Sequence, residues 1–134
     1  MPWILPAVKK LPSTLGVTDG KLADCPDSPN CVSSQSSYTA SRVPSLAYTG
    51  EQREARDAIL RILAADSRAE LVTVTDDYVH ATFRAFVFLD DVEFYFPADE
   101  QVVHVRSASR VGHSDLGANR RRVRAISAAF SSQQ

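Results

Sequence analysis

Every odd-numbered position from residue 79 to residue 89 is apolar, and this alternation constrains the fold more than any other feature of the chain. Side chains of a β-strand point alternately to the two faces of a sheet, so a period of two predicts strand. The pattern allows one long strand or two that share a face. Because Asp90 and Asp91 interrupt it, we predict a turn at these two residues.

The neighbouring segments predict further antiparallel pairing. Before residue 79 we expect a hairpin with a two-residue turn at residues 76–77, in which Val74 faces Val79 and Val72 faces Ala81. The pairs predicted for the last two strands are Phe96 with Gln101, Phe94 with Val103, Val92 with Val105, Glu93 with His104, and Asp91 with Arg106. A slip of one residue would turn every one of these side chains to the other face.

Two amphipathic helices flank these strands. Thr49 and Gln52 form a capping-box pattern, and the apolar stripe that follows is Ala55, Ala58, Ile59, Ile62 and Leu63. The second helix is predicted to begin at Ser114 or Asp115, either of which can cap exposed N–H groups. Its predicted stripe is Leu116, Val123, Ile126 and Phe130, with Asn119 inside the stripe and Arg121 and Arg124 pointing away.

The element order predicts an α+β fold, with an antiparallel sheet of four to five strands and two helices packed on one face. Residues 43–48 are the candidate fifth strand, at an edge. The chain has 134 residues, which fits a single domain spanning residues 1–134. Residues 1–48 hold six of the seven prolines, so we expect an irregular arm there, with the regular elements in residues 49–130.

The sheet face away from the helices is predicted to be chemically mixed. Its residues are Tyr78, His80, Thr82, Arg84, Phe86, Phe88, Glu93, Tyr95, His104 and Arg106. A face with this many aromatic side chains is seldom left to solvent. Either the arm or a second subunit packs on it, or it lines a ligand cleft.

The candidate binding site lies at one end of that face. Arg106 and Arg110 approach the start of the last helix, and two guanidinium groups beside a helix N-terminus suit a carboxylate or a phosphate. The alternative is that Asp91 and Asp115 already pair with these arginines. Asn119 could bind the ligand or link the helix to a strand. The candidate ligand-binding residues are Arg106, Arg110, Asn119, Asp115, Asp91, Glu93 and His104.

The two cysteines, Cys25 and Cys31, flank five residues that include two prolines. A disulfide is sterically plausible at this spacing and would indicate an oxidising compartment. The thiols could instead stay reduced, or bind zinc together with two of His80, His104 and His113, although the spacing matches no compact zinc motif.

Composition and motifs argue against several function classes. The net charge of −1 argues against a nucleic-acid binder, and no apolar run approaches the ~20 residues of a membrane helix. The first ten residues lack the order of a secretory signal, so the sequence as given indicates a cytoplasmic protein; a missing precursor segment would make it periplasmic or membrane-associated. Phosphate-loop, dinucleotide and HExxH motifs are lacking, and we predict no cofactor and no bound metal.

Three sequence motifs carry a resemblance to a known family. They are LADCPDSPNCVSSQ at residues 22–35, DDVEF at residues 90–94, and VRSASRVGHSDLGANRRRV at residues 105–123. Together they closely resemble the family catalogued as domain of unknown function 1499, over residues 15–130. The resemblance implies a small single domain of a mostly bacterial family, with relatives in plant plastids and several members that carry membrane or export segments. It brings no activity. The residues on its motif positions are Cys25, Cys31, Asp90, Asp91, Glu93, Arg106, Ser107, Ser109, Arg110, Gly112, Asp115, Gly117, Asn119 and Arg121.

These observations favour a non-catalytic domain that binds a small anionic or amphipathic ligand near Arg106, Arg110 and Asn119. The first alternative is a structural or protein–protein interaction domain whose aromatic face meets a partner, which includes a homo-oligomer. The second is a hydrolase or isomerase that uses Glu93 and His104 as general acid and base.

Overall fold

The computed structural model describes residues 11–112 and 114–134. Its elements follow the chain in the order β1 (Val17–Thr18), β2 (Lys21–Leu22), β3 (Cys31–Ser33), a 3₁₀ turn (Thr39–Ser41), β4 (Leu46–Ala47), α1 (Gln52–Ala64), β5 (Ala69–Val74), β6 (Tyr78–Ala85), β7 (Phe88–Tyr95), β8 (Val102–Ser109) and α2 (Ala118–Ser131). None of the helices in this described part is long and apolar enough to cross a membrane.

The elements form an antiparallel sheet with two helices, which confirms the predicted α+β fold. The main sheet has the order β3-β8-β7-β6-β5, and β4 pairs with β8 beside β3, which makes six strands where four to five were predicted. Residues 43–48 do supply an edge strand, β4. The additional strand, β3, comes from the proline-rich segment, and β1 and β2 pair with each other in a separate two-stranded sheet.

The helices cover the face that the alternation marked as apolar. Val79, Ala81 and Phe83 of β6 are buried there beside Val92 and Phe94 of β7. The stripes of both helices complete this core with Ala55, Ala58, Ile59, Leu63, Val123, Ile126 and Phe130. Burying apolar surface of this kind is the main favourable term in folding.

The turn predicted at Asp90 and Asp91 is wrong. The chain turns at Phe86 and Val87, because Ala85 pairs directly with Phe88, and both aspartates lie inside β7. Phe86 has a φ of 59°, as the first central residue of some two-residue hairpin turns requires. Odd-numbered side chains point to the helices before this turn, and even-numbered side chains do so after it. Phe88 therefore lies on the helix side of the sheet.

The predicted register of β7 against β8 is wrong by two residues. Phe94 pairs with Val105 and Glu93 with Arg106, since the connection after Tyr95 is longer than the sequence reasoning assumed. A shift of two leaves each side chain on its predicted face but gives it a new neighbour. Between β5 and β6, the pair of Val74 with Val79 is confirmed.

Two local details also differ from prediction. A bulge between Leu71 and Thr73 places Leu71, and not Val72, opposite Ala81. The capping box of α1 is formed by Glu51 and Glu54 instead of Thr49 and Gln52.

The second helix also begins later than predicted. It starts at Ala118, after a left-handed Gly117, and so Leu116 lies before the helix. Its side chain is 84% exposed, outside the buried stripe.

Candidate functional site

The sheet separates two buried polar clusters, and neighbouring aspartates of β7 contribute to opposite sides. Because successive side chains of a strand alternate, Asp91 points toward the arm while Asp90 points toward the helices. Both carboxylates are buried, with 2% and 3% of their residue surface exposed. Buried carboxylates must be paired, and each of them meets an arginine.

On the arm side, three strands place His80, Glu93 and Arg106 next to one another across the sheet. His80 Nε2 lies 2.7 Å from Asp91 Oδ1, and Arg110 donates to both Asp91 oxygens at 2.9 and 3.0 Å. Burial alone would raise the pKa of Asp91, but the hydrogen bonds from His80 and Arg110 hold it below its ordinary value. We call His80, Asp91, Glu93, Arg106 and Arg110 the arm-side cluster.

Glu93 connects the N-terminal arm to this cluster by a hydrogen bond. Its Oε1 accepts hydrogen bonds from Tyr78 Oη at 2.6 Å and from the backbone N–H of Gly16 at 2.8 Å. Burial and the hydrogen bond to Glu93 raise the pKa of the Tyr78 hydroxyl. The described part of the arm therefore lies over Glu93 on the mixed face of the sheet, which explains why Glu93 is fully buried.

Arg106 is buried but uses its donors incompletely. Only 5% of the residue surface is exposed. Its Nη1 lies 3.6 Å from Glu93 Oε2, and its Nη2 reaches the carbonyl oxygen of Asp24 at a long 3.5 Å. Its buried Nε has no hydrogen-bond partner among the described residues. A guanidinium group carries five N–H donors, and buried donors are normally satisfied.

A cleft of about 540 Å³ opens beside Arg106, between the arm, the cysteine loop and the end of the sheet. Its walls are Pro12, Thr14, Asp24, Cys25, Pro26, Ser28, Asn30, Cys31, Asp91, Arg106, Ala108, Ser109, Arg110 and Gly112. Ala108 lies between Cys31 and Asp91 in adjacent strands, and its small side chain leaves the space above it open.

The cysteines form the disulfide that their spacing allowed. Cys25 and Cys31 are bonded, with their Cα atoms 5.6 Å apart, and both side chains are buried. The zinc alternative fails because bonded sulfurs cannot act as thiolate ligands. The described residues also contain no group of three or more His, Cys, Asp or Glu side chains that could hold a metal ion.

On the helix side, Asn119 joins α2 to β8 and to the cysteine loop. Its amide oxygen accepts from Ser107 Oγ at 2.6 Å and from Arg122 Nη1 at 2.9 Å. Its amide nitrogen donates to Asp115 Oδ2, Ser109 Oγ and the carbonyl oxygen of Asn30. Asn119 is fully buried. Of the two roles that the sequence allowed, its contacts match the link between the helix and a strand.

Asp90 joins these residues through Arg122, whose Nη2 lies 2.8 Å from Asp90 Oδ2. We call Asp90, Ser107, Ser109, Asp115, Asn119 and Arg122 the helix-side cluster. Burial raises the pKa of Asp90, and the charge of Arg122 and a hydrogen bond from Ser109 oppose that shift. The guanidinium of Arg122 also stacks 4.8 Å from the centre of the Phe83 ring. This cluster fixes the position of α2 over the sheet.

The structure divides the seven sequence-predicted site residues among three places. Asp91, Glu93, Arg106 and Arg110 lie together on the arm side. Asp115 and Asn119 lie on the helix side, where Asp115 Oδ2 accepts the backbone N–H of Asn119 at 3.0 Å and so occupies the helix N-terminus. The predicted convergence of both arginines on that helix end is therefore wrong.

His104 lies apart from both clusters. Its Nδ1 lies 3.1 Å from Ser34 Oγ, its Nε2 lies 3.5 Å from Glu100, and its ring stacks on Tyr95. The predicted pairs of Glu93 with His104 and of Asp91 with Arg106 do not form, because of the two-residue register shift. His113 lies outside the described residues.

The sequence analysis misses one member of the arm-side cluster and several of the helix-side contacts. It assigns no ligand-binding role to His80 or Arg122, and it does not consider Ala108 and Asn30, which line the cleft. The sequence analysis did not predict the turn at residues 86–87. This turn places Asp90 within β7, with its side chain on the helix side of the sheet. The spacing of thirteen residues that separates His80, Glu93 and Arg106 then follows from strands and turns of similar length.

Comparison with known proteins places this geometry in a family but gives it no activity. No curated protein and no solved structure matches the chain. One family profile, described as "Protein of unknown function (DUF1499)", matches residues 21–130, which include both clusters and the disulfide. Because this match covers most of the chain and agrees with the motifs at residues 22–35, 90–94 and 105–123, the protein belongs to the DUF1499 family.

Proposed function

We propose that this domain binds a small ligand with an anionic group in the cleft beside Arg106. The observation that carries the proposal is that Arg106 lines the cleft while its two Nη groups reach protein acceptors only at 3.5 and 3.6 Å. A carboxylate or phosphate oxygen on its cleft side would supply the acceptor that the described protein groups supply only at long range.

The cleft has the size and lining of a ligand site. Small-molecule sites commonly enclose ~300–1,000 Å³ and combine apolar walls with a few oriented polar groups. Pro12, Pro26 and the disulfide supply apolar wall beside Arg106 and Arg110. An amphipathic ligand, with one anionic end and a short apolar body, fits this division.

The surrounding charges limit the ligand to a low negative charge. Asp24 and Asp91 also line the cleft, and hydrogen bonds from Ser37 hold the pKa of Asp24 below its ordinary value. These carboxylates would repel a highly charged anion. A monocarboxylate therefore suits the site better than a polyphosphate.

Binding agrees with the geometry better than the two alternatives do. Acid–base catalysis by Glu93 and His104 would need the two groups together, and each has separate partners. The aromatic face, as a surface for a partner chain, is largely covered by the arm of the same chain, since His80, Glu93 and Arg106 are all buried.

Isothermal titration calorimetry tests the proposal with hexanoate as the probe. Hexanoate should bind saturably, whereas hexanol and hexylamine should not. Ala108→Phe fills the cleft floor without changing any charge and should abolish binding, and Ala128→Phe, at an exposed position of α2, is the matched control.

A second variant examines the guanidinium itself. Arg106→Met should lose hexanoate binding, but it leaves Glu93 without its buried cation and can unfold. Arg106→Lys keeps the charge and should bind more weakly than wild type, because it loses the planar donor group. Equal hexanoate binding by wild type and Ala108→Phe, or none by wild-type protein over a panel of small carboxylates and phosphates, would remove the proposal.

A further inference from the structure

One end of the molecule displays apolar side chains to solvent. Phe86 is 94% exposed, Leu116 84%, Phe88 43% and Val111 37%. They come from the β6–β7 turn, the end of β8 and the segment before α2. Those elements meet at one end of the sheet, where the backbone N–H of Arg110 donates to the carbonyl of Leu89. We call Phe86, Phe88, Val111 and Leu116 the tip.

The two most exposed tip residues have unfavourable backbone conformations. Phe86 has a φ of 59° and Leu116 a φ of 54°, in the region that normally favours glycine. Strain of this kind is commonly found at functional positions. Since both side chains project into solvent, burial within the described part of the chain does not offset the strain.

A positively charged recess adjoins the tip. Its volume is about 330 Å³, and its walls are Arg68, Arg84, Ala85, Ala118, Arg121, Arg122 and Ala125. Ala85 precedes Phe86 directly, and the backbone carbonyl of Leu116 accepts a hydrogen bond from Arg121 at 2.7 Å. The recess therefore adjoins Phe86 and Leu116.

Within the described part of the chain, carboxylates pair with two of these arginines. Arg68 pairs with Asp66 and Arg122 with Asp90. Arg121 is exposed, and its bond to the Leu116 carbonyl is to a neutral acceptor. Arg121 therefore offers a positive charge to an anion at this surface.

We propose that the tip docks on the surface of an anionic phospholipid bilayer. Phe86 and Leu116 enter the boundary between headgroups and acyl chains, and the arginine recess faces the lipid phosphates. Such binding is peripheral and requires no membrane-spanning helix. It depends on residues outside the cleft walls and does not rest on the proposed ligand.

The charge of this surface decides between occupants. A second copy of the chain, related by a two-fold axis at the tip, would bring its arginine recess against the same recess, and like charges repel. A free phosphate compound would need the arginines but not the apolar side chains. An anionic bilayer uses both features.

Vesicle co-sedimentation tests the proposal. Wild-type protein should bind vesicles of phosphatidylcholine mixed with phosphatidylglycerol more tightly than phosphatidylcholine alone, and added salt should weaken binding. The double variant Phe86→Gly, Leu116→Gly removes the apolar groups with residues that accept positive φ, and it should bind about tenfold or more weakly. The matched control is Leu71→Thr, Val74→Thr, which alters exposed apolar residues of β5.

Charge-reversal variants provide a second test of the proposal. Arg121→Glu should weaken binding to the anionic vesicles, and Arg53→Glu, at an exposed position of α1, should not. Three outcomes would overturn the proposal: equal binding to neutral and anionic vesicles, tip variants that bind like wild type, or displacement of the protein by millimolar glycerol phosphate. A dimer in sedimentation velocity that the tip variants abolish would assign the surface to a second copy instead.

Discussion

Replacing Asn119 with alanine measures how strongly the helix-side cluster holds α2 to the sheet. The Asn119 side chain accepts hydrogen bonds from Ser107 and Arg122 and donates to Asp115, Ser109 and Asn30. A net contribution of ~1 kcal/mol per neutral bond, and somewhat more for a charged partner, gives an expected loss of about 3–5 kcal/mol. That is a large part of the ~5–15 kcal/mol by which a typical domain is stable.

Urea denaturation followed by circular dichroism gives this free energy of unfolding. Arg124→Ala, on the exposed side of the same helix, is the control and should change it by less than ~0.5 kcal/mol. Asn119→Asp keeps the shape but adds a buried negative charge near Asp90 and Asp115, so it should be less stable than Asn119→Ala at neutral pH and recover on acidification. An Asn119→Ala variant within ~1 kcal/mol of wild type would refute the assignment of Asn119 as a structural link.

Three further predictions concern stability. Phe86→Gly relieves backbone strain and removes no buried surface, so its free energy of unfolding should be unchanged or higher by up to ~1 kcal/mol; a loss greater than ~1 kcal/mol would contradict the strain. Cys31→Ser should lower the free energy of unfolding by about 2 kcal/mol in non-reducing buffer, and wild type in dithiothreitol should fall to a similar value. The pKa of Asp91 is lower in the folded protein than its ordinary 3.8, so its contribution is present above that value and is lost as the pH falls through the folded pKa. Asp91→Asn should therefore be less stable at neutral pH and lose less stability on acidification; an unchanged pH profile in urea titrations would speak against the Asp91 pairing.

The sequence predicted the faces of the sheet better than the neighbours within it. Alternation assigned Val79, Phe94 and Val105 to the core, because a strand has only two faces and burial of one is strongly favoured. Pairing depends in addition on loop length. The connection after Tyr95 is longer than assumed, so His104 faces Tyr95 and not Glu93.

Turn chemistry misled the prediction twice. Asp90 and Asp91 are typical turn residues, whereas Phe86 is a poor candidate for a position with positive φ, and the chain nevertheless turns at Phe86. Asp115 is likewise a good helix cap, but its carboxylate reaches forward to the N–H of Asn119 from a segment that precedes the helix. Tertiary packing overrides local preference at both places.

The candidate site was predicted in part, for a similar physical reason. The sequence indicated that Arg106 and Arg110 lie close together near Asp91. The alternation of side chains along the strand and the four-residue separation of the two arginines are enough to suggest this. The position of the cysteine loop over Ala108 depends on β3, a strand of three residues that is too short to show a periodicity. Contacts made by such short segments are set by the whole fold.

The Arg106 side chain itself offers the most direct test of the proposed function. Its Nε–H group, assigned by its loss in Arg106→Lys, can be followed by ¹⁵N-edited NMR while hexanoate is added. We predict a saturable downfield shift of this resonance in wild type and none in Ala108→Phe, because the guanidinium gains an acceptor only when the cleft is open. A resonance that does not move in wild type, or that moves equally in both proteins, would contradict an anion-binding cleft at Arg106.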